Sequence, residues 1–243
     1  MPAPARKIAT RPRIVPRASR GGVDPAGTCD TELIVAAGAL LALAGLALAI
    51  GESPSIKTMD RSVRRLARSS AGRRVDVALA PLFPLGLPGL YIPIAHAAAL
   101  WLGARGSRSR RLPATAWSAW LAHRAVKLVY HRERPRGRSR DGKRKPRRTD
   151  SYPSGHTTGI TALSLALMAA LERSGRHAPH ASHGKRSCGA VVLLGAAPLV
   201  MGTQRILADD HWASDVLGGL ALGTAVACAC DAAARWLDAR AGA

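Results

Sequence analysis

Apolar and charged positions are segregated along this chain. Leu33 to Gly51 is an uncharged run of 19 residues, which at about 1.5 Å per residue reaches roughly 28 Å, the thickness of a bilayer's hydrocarbon core. Val77 to Ala104 is uncharged apart from His96, and its prolines at 81, 84, 88 and 93 predict a broken entry followed by a regular span. Gly155 to Leu171, Ser187 to Gln204 and Ala213 to Cys230 are further candidates. Leu112 to Tyr130 is the most polar one, because Arg124 and Lys127 lie inside it. A cation left in lipid costs about 3 kcal/mol, so both are functional suspects. The pattern predicts an all-α integral membrane bundle of six helices, with the loops after the first, third and fifth spans on one face. Between the first two spans, Met59, Val63 and Leu66 recur at helical spacing among the seven basic residues of 57–74. That spacing predicts an additional amphipathic helix in the interfacial plane.

The arginine-rich start resembles the entry to a signal peptide, but the run that follows exceeds the roughly 7 to 15 residues of a signal core. An uncleaved first span is therefore expected. The division that follows is a basic N-terminal tail (1–32) expected to be disordered, a six-span membrane domain (33–237) containing a flexible basic loop (132–150), and a C-terminal tail (238–243). No internal repeat is evident.

Composition changes the picture in one respect. The chain of 243 residues carries 36 Lys and Arg against 15 Asp and Glu, a net charge of +21. Such an excess must face water, anionic lipid or an anionic ligand. Ten basic residues meet two acidic ones between Arg132 and Arg148. That segment reads either as a solvated loop or as an electrostatic funnel for anionic lipid. No aromatic residue interleaves it to stack bases, which argues against nucleic acid. Lys and Arg are shared almost equally between the two faces, so charge alone assigns no orientation. The four cysteines, Cys29, Cys188, Cys228 and Cys230, form no CxxC pair and read as small apolar fillers. His177, His180 and His183 are spaced like a metal tract, but Pro179 interrupts any helix there and they belong to the opposite face.

The remaining polar residues near the apolar runs converge on one face. Lys127, His131 and Arg134 stand at i, i+4 and i+7, so a helix continuing to Pro135 would align all three. Tyr152-Pro153-Ser154-Gly155-His156 opens the fourth span, and the first amides of a helix are unpaired donors that favour anions. Arg205 and His211 lie between the last two spans, with Asp215 four residues on, where a carboxylate can hold one imidazole nitrogen and leave the other available. Asp209 reads as a solvated loop charge able to pair with Arg205, and Asp210 as another. A phosphate ester in such a site would be neutralised by Lys127, Arg134, Arg205 and the amides near Ser154 and Gly155. One histidine could attack phosphorus while a second protonates the leaving oxygen. The only close acidic pair is Asp209 and Asp210, so neither a metal nor another cofactor is expected.

Lys127-x6-Arg134-Pro135, Pro153-Ser154-Gly155-His156 and Arg205-x5-His211 resemble, in order, the three-part signature of the type 2 phosphatidic acid phosphatase superfamily, over roughly residues 54 to 231. That superfamily includes lipid phosphatases, prenyl diphosphate phosphatases and vanadium haloperoxidases. The resemblance implies His211 as a nucleophile forming a phosphohistidine, Asp215 as its orienting partner and His156 as the general acid. Lys127, Arg134, Ser154, Gly155 and Arg205 would then form the phosphate cradle. It further implies a phosphorylated lipid or prenyl diphosphate substrate, a multi-pass protein of the cell membrane and an extracytoplasmic site. Gln204 stands where the third motif usually has Ser, and its amide can still donate to a phosphate oxygen. Phosphotransfer to a second alcohol, and a non-catalytic role in binding anionic lipid, remain the alternatives.

Overall fold

The computed structural model describes residues 25–103, 111–137, 143, 145–176 and 183–241. The chain runs through α1 (Pro25–Glu52), α2 (Pro54–Ala67), α3 (Ser70–Leu79), a 3-10 segment (Ala80–Gly86), α4 (Pro88–Gly103), α5 (Arg111–Val129), α6 (Gly155–Arg176), α7 (His183–Leu207) and α8 (Ala213–Ala241). Among the described residues there is no strand, only an isolated bridge between Arg132 and Asp150. The expected all-α membrane fold is what the chain adopts. The N-terminal tail up to residue 24 and His177 and His180 lie outside the described residues, as does the side chain of His183.

Among the described residues, three helices are long and apolar enough to cross a bilayer: Thr31–Glu52, Gly189–Leu207 and Ala213–Arg240. Ser70–Gly86 and Pro88–Gly103, bent by 64° at Leu87, together make a fourth candidate, which is the broken entry that the prolines predict. α5 and α6, with 19 and 22 residues, have the length but not the composition. Their polarity is turned inward, since Thr115, Thr157, Thr158, Thr161 and Ser164 are all buried. Arg124 points outward near the end of α5, where its long stem can carry the charge to the interface.

α1 buries one narrow seam. Ala36, Leu43 and Ile50, seven apart, are buried, a coiled-coil-like stripe. Leu43 and Ile50 pack with Leu222 of α8 and with Tyr152. The rest of the helix presents residues such as Leu40, Leu41 and Leu48 outward. A second cluster joins Tyr91, Ile92 and Ala95 of α4 to Leu112 and Ala116 of α5 and Leu163 of α6.

α6 and α8 approach backbone to backbone. A Cβ on Gly219 would stand 2.7 Å from the Ser154 carbonyl oxygen, and one on Gly223 would stand 2.7 Å from that of Thr158. Such small-residue seams let membrane helices pack closely, and here they bring the starts of two helices together. Gly219→Ala should therefore destabilise the protein by about 1 to 3 kcal/mol, read as a lower thermal midpoint in detergent; an unchanged midpoint would contradict this packing.

The amphipathic helix exists as α2, with Ser53 as N-cap and Pro54 at its first position. Its protein-facing side is charged. Leu66 is 71% exposed, whereas Asp60 is buried and Arg64 lies beside the same bundle surface, bonded to Asp209. Charge pairing outweighs apolar burial here because the surface that α2 covers is itself charged.

At the far end of the bundle, Arg111, Arg173 and Arg235 converge on Asp231, and Arg235 also meets Glu32. This network ties α1, α5, α6 and α8 together at the end opposite the polar face described next.

Candidate active site

The three loops predicted to share a face do interlock. α5 stops at Val129, so the expected helical stripe through His131 and Arg134 does not form. The chain instead extends and pairs with the far end of the basic loop: Arg132 N–H donates to Thr149 O (2.8 Å), Ser151 N–H to Arg132 O (3.0 Å) and Arg134 N–H to Arg148 O (3.0 Å). Lys127 and Arg134 still converge, but through Asp150. Lys127 Nζ donates to its carbonyl (2.7 Å), and Arg134 grips its carboxylate at 3.0 and 3.2 Å. His131 faces solvent. Burial raises the Asp150 carboxyl, but Arg134, Arg148 and Lys127 outweigh it and hold the group well below the usual carboxylate range. Both ends of the basic loop are thus pinned; residues 138–142 and 144 lie outside the described residues.

Asp209 and Asp210 are not solvated charges. Asp209 adopts φ 55°, a left-handed turn that Asp tolerates, and this sends the two carboxylates to different partners. Asp209 takes Arg64 at 2.6 and 3.0 Å. Asp210 takes Arg205 and Lys145, and these cations hold its carboxyl down against burial. The expected pairing of Asp209 with Arg205 is therefore replaced by Asp210 with Arg205. Gln204 is buried, and its Oε1 accepts from Arg205 at 3.2 Å, so in this structure it steadies the guanidinium. Phe83, the single phenylalanine of the chain, lies 4.8 Å from the Arg205 guanidinium and 4.9 Å from the His156 ring.

Asp215 is fully buried and sits at the third position of α8, where it accepts the Trp212 N–H at 2.8 Å. This is the acidic half of a capping box. It also accepts from Ser151 Oγ (2.5 Å) and Arg132 (2.5 Å). His211 precedes the helix, so the pair does not arise from a helical i, i+4 stripe; the capping turn places His211 Nδ1 at 3.6 Å from Asp215, a contact too long for a hydrogen bond. Burial, partly offset by Asp215 and reinforced by Arg134 and Arg205, lowers the His211 imidazole to about 4. The start of α6 closes the site. Ser154 N–H donates to the Asp215 carbonyl (2.9 Å), so this amide is already used, while its hydroxyl accepts from Thr157 at 2.9 Å. A Cβ on Gly155 would stand 2.9 Å from the His123 ring. His156 Nε2 is buried without a hydrogen-bond partner among the described residues.

The expected residues Lys127, Arg134, Ser154, Gly155, His156, Arg205, His211 and Asp215 thus gather at one end of the bundle. The model of the PAP2 superfamily matches residues 111–238, just over half of the chain. The chain belongs to the PAP2 superfamily. In its fold it is similar to the crystal structure of a transmembrane PAP2-type phosphatidylglycerolphosphate phosphatase from Bacillus subtilis, with a TM-score of 0.58 and 16% identity, covering 81% of this chain and 94% of that one. No curated protein matches the chain.

Around these expected residues stand others that the pattern does not announce: Asp60, Arg132, Ser151, Ser214 and Asp150. Two left a signal. Asp60 is the only acid among the seven basic residues of 57–74, and Asp150 is the acid that ends the basic loop.

Proposed function

We propose that this chain is a membrane phosphatase that hydrolyses a phosphomonoester or diphosphate of a lipid or prenyl carrier through a phosphohistidine on His211. The observation that carries the reading is the buried His211, set against Asp215 and within the field of Arg134 and Arg205. An imidazole lowered to about 4 is neutral near pH 7, and Asp215 at Nδ1 leaves Nε2 to attack phosphorus. As the Nε2–P bond forms, the P–O bond to the carrier breaks, and the leaving oxygen takes a proton from His156. Water, giving a proton to His156, then attacks phosphorus and releases phosphate from Nε2. Lys127, Arg134 and Arg205 with the first amides of α6 stabilise the charge on the non-bridging oxygens. Substrate phosphate takes over cations that Asp150 and Asp210 now hold. The fold likeness to a phosphatidylglycerolphosphate phosphatase supports a lipid substrate; an active site on the extracytoplasmic side follows from the family resemblance of the motifs alone. Anionic membrane lipids would meet the exposed Lys57, Arg61, Arg65 and Arg68 on and beside α2.

The test uses detergent-solubilised protein, EDTA and radiolabelled phosphatidic acid, phosphatidylglycerol phosphate and prenyl diphosphates. Release of phosphate together with an acid-labile, base-stable phosphoprotein supports the reading. Release that ceases in EDTA and returns with Mg²⁺ would overturn it. The donors around the site are guanidinium, ammonium and amide groups, and Asp150, Asp209, Asp210 and Asp215 are all paired with cations, so activity should persist in chelator.

The pH profile is a separate prediction. His211 must start neutral, and its lowered value means protonation begins only as pH falls toward about 4. The acid limb of kcat/KM in the free enzyme should therefore lie well below the ~6.5 of a solvated imidazole. Initial rates across the acidic range check this; a limb at the solvated value would show His211 open to water.

A further inference from the structure

Asp215 is the partner of His211, and its other oxygen contacts lead away from the substrate. Arg132 Nη1 donates to Asp215 Oδ1 (2.5 Å) and to Ser214 Oγ (2.7 Å). Its Nη2 donates to Asp60 Oδ2 (2.6 Å). Asp60, 3% exposed, also accepts the Ser214 N–H (2.9 Å) and Ser214 Oγ–H (2.7 Å). The guanidinium lies 5.6 Å from the centroid of Trp212, the residue between His211 and α8. A continuous chain therefore runs from His211 through Asp215, Arg132 and Asp60 to α2. From Asp215 to Asp60 each link is a charge with its counter-charge, which is the condition for ions to remain buried. The planar fork of arginine can bridge two carboxylates in a fixed geometry, which an ammonium cannot.

We propose that Arg132 and Asp60 are positioning residues for the His211–Asp215 pair, so that the amphipathic helix α2 is a working part of the catalytic end of the bundle. The proposal rests on the reading of His211 as nucleophile. Arg132 keeps Asp215 ionised and turned toward Nδ1, and Asp60 holds Arg132 in place and balances its charge. Neither touches the substrate phosphate.

The charge arithmetic yields a signature that simple destabilisation lacks. The other groups facing the pair are Lys127 of α5, Tyr130 and Arg134 after it, Tyr152, His156 of α6, Arg205 of α7 and Asp210, with Arg64 of α2 stacked on Trp212; all stay the same in the variants below. Removing the Arg132 cation makes His211 easier to protonate, and removing the Asp60 anion makes it harder. Arg132→Gln should raise the His211 pKa and Asp60→Asn should lower it, each by about 1 unit. The double variant should return close to the parent.

The measurement is histidine-selective NMR titration of the full chain in detergent, with the His211 signal assigned by its loss in His211→Ala, alongside kcat and KM. Opposite shifts, with kcat falling by about 10²-fold at nearly constant KM, support the proposal. Shifts in the same direction, no shift, or parental kcat in both folded variants overturn it. Where Arg132→Gln does not stay folded, Asp60→Asn decides alone, a downward shift supporting the coupling and an unmoved signal overturning it. The titration needs no turnover, so it separates the two readings. Parental activity in His211→Ala would overturn the nucleophile reading, while the pKa shifts alone still decide the coupling.

Discussion

His211→Ala is expected to lose about 10⁴- to 10⁶-fold in kcat, the loss seen when a nucleophile that works as part of a unit is removed. The site offers no substitute at that position. His156 packs against Phe83 rather than Asp215, and the remaining charged neighbours are cations or the carboxylates paired with them. Phosphate binding should survive, because Lys127, Arg134 and Arg205 are untouched. The variant should therefore still bind inorganic phosphate while releasing nothing from any lipid in the panel. Phosphate release at parental rate would sink the phosphohistidine mechanism. Loss of binding together with turnover would mean that His211 holds the cradle rather than attacks.

Asp215→Asn is the second large effect, and it has two readouts. An amide there can present its NH₂ to His211 Nδ1 and favour the wrong tautomer, as when the orienting carboxylate of a serine protease triad is replaced, at a cost near 10⁴-fold in kcat. KM should change little, since Asp215 does not face the phosphate. The same substitution leaves Arg132 with one carboxylate partner in place of two. Breaking a buried pair in this way costs about 3 to 5 kcal/mol, partly spared here because Asp60 remains. A lower thermal midpoint should accompany the loss of rate. Full activity with a lower midpoint would make Asp215 purely structural.

The spans were legible because a bilayer demands them. Uncharged runs of fixed length, and prolines clustered before α4, are properties of the chain read in order. The grouping of the three motif loops was legible too, since counting spans puts alternate loops on one face. Individual partners were another matter. Asp209 and Asp210 are adjacent and alike in sequence; only the left-handed turn at Asp209 sends one carboxylate to Arg64 and the other to Arg205. The stripe predicted from Lys127, His131 and Arg134 failed because extended pairing with residues 148–151 ended α5 at Val129. For α2, periodicity identified the helix but not the ion pairs of its protein-facing side, because the partners of Asp60 and Arg64 lie far away in sequence.

By itself, the sequence determined the helical membrane architecture, the polar end of the bundle and the set of basic and imidazole residues that gather there. Each of these follows from local composition, spacing or the number of crossings. Only the tertiary structure decided which charge neutralises which. Ion pairs such as Arg132 with Asp60, 72 positions apart, and Arg64 with Asp209, 145 apart, depend on how helices stack around the Gly219 and Gly223 seam. No periodicity encodes that, because a buried charge selects its partner by distance in space, after the backbone has brought both into the same dry pocket.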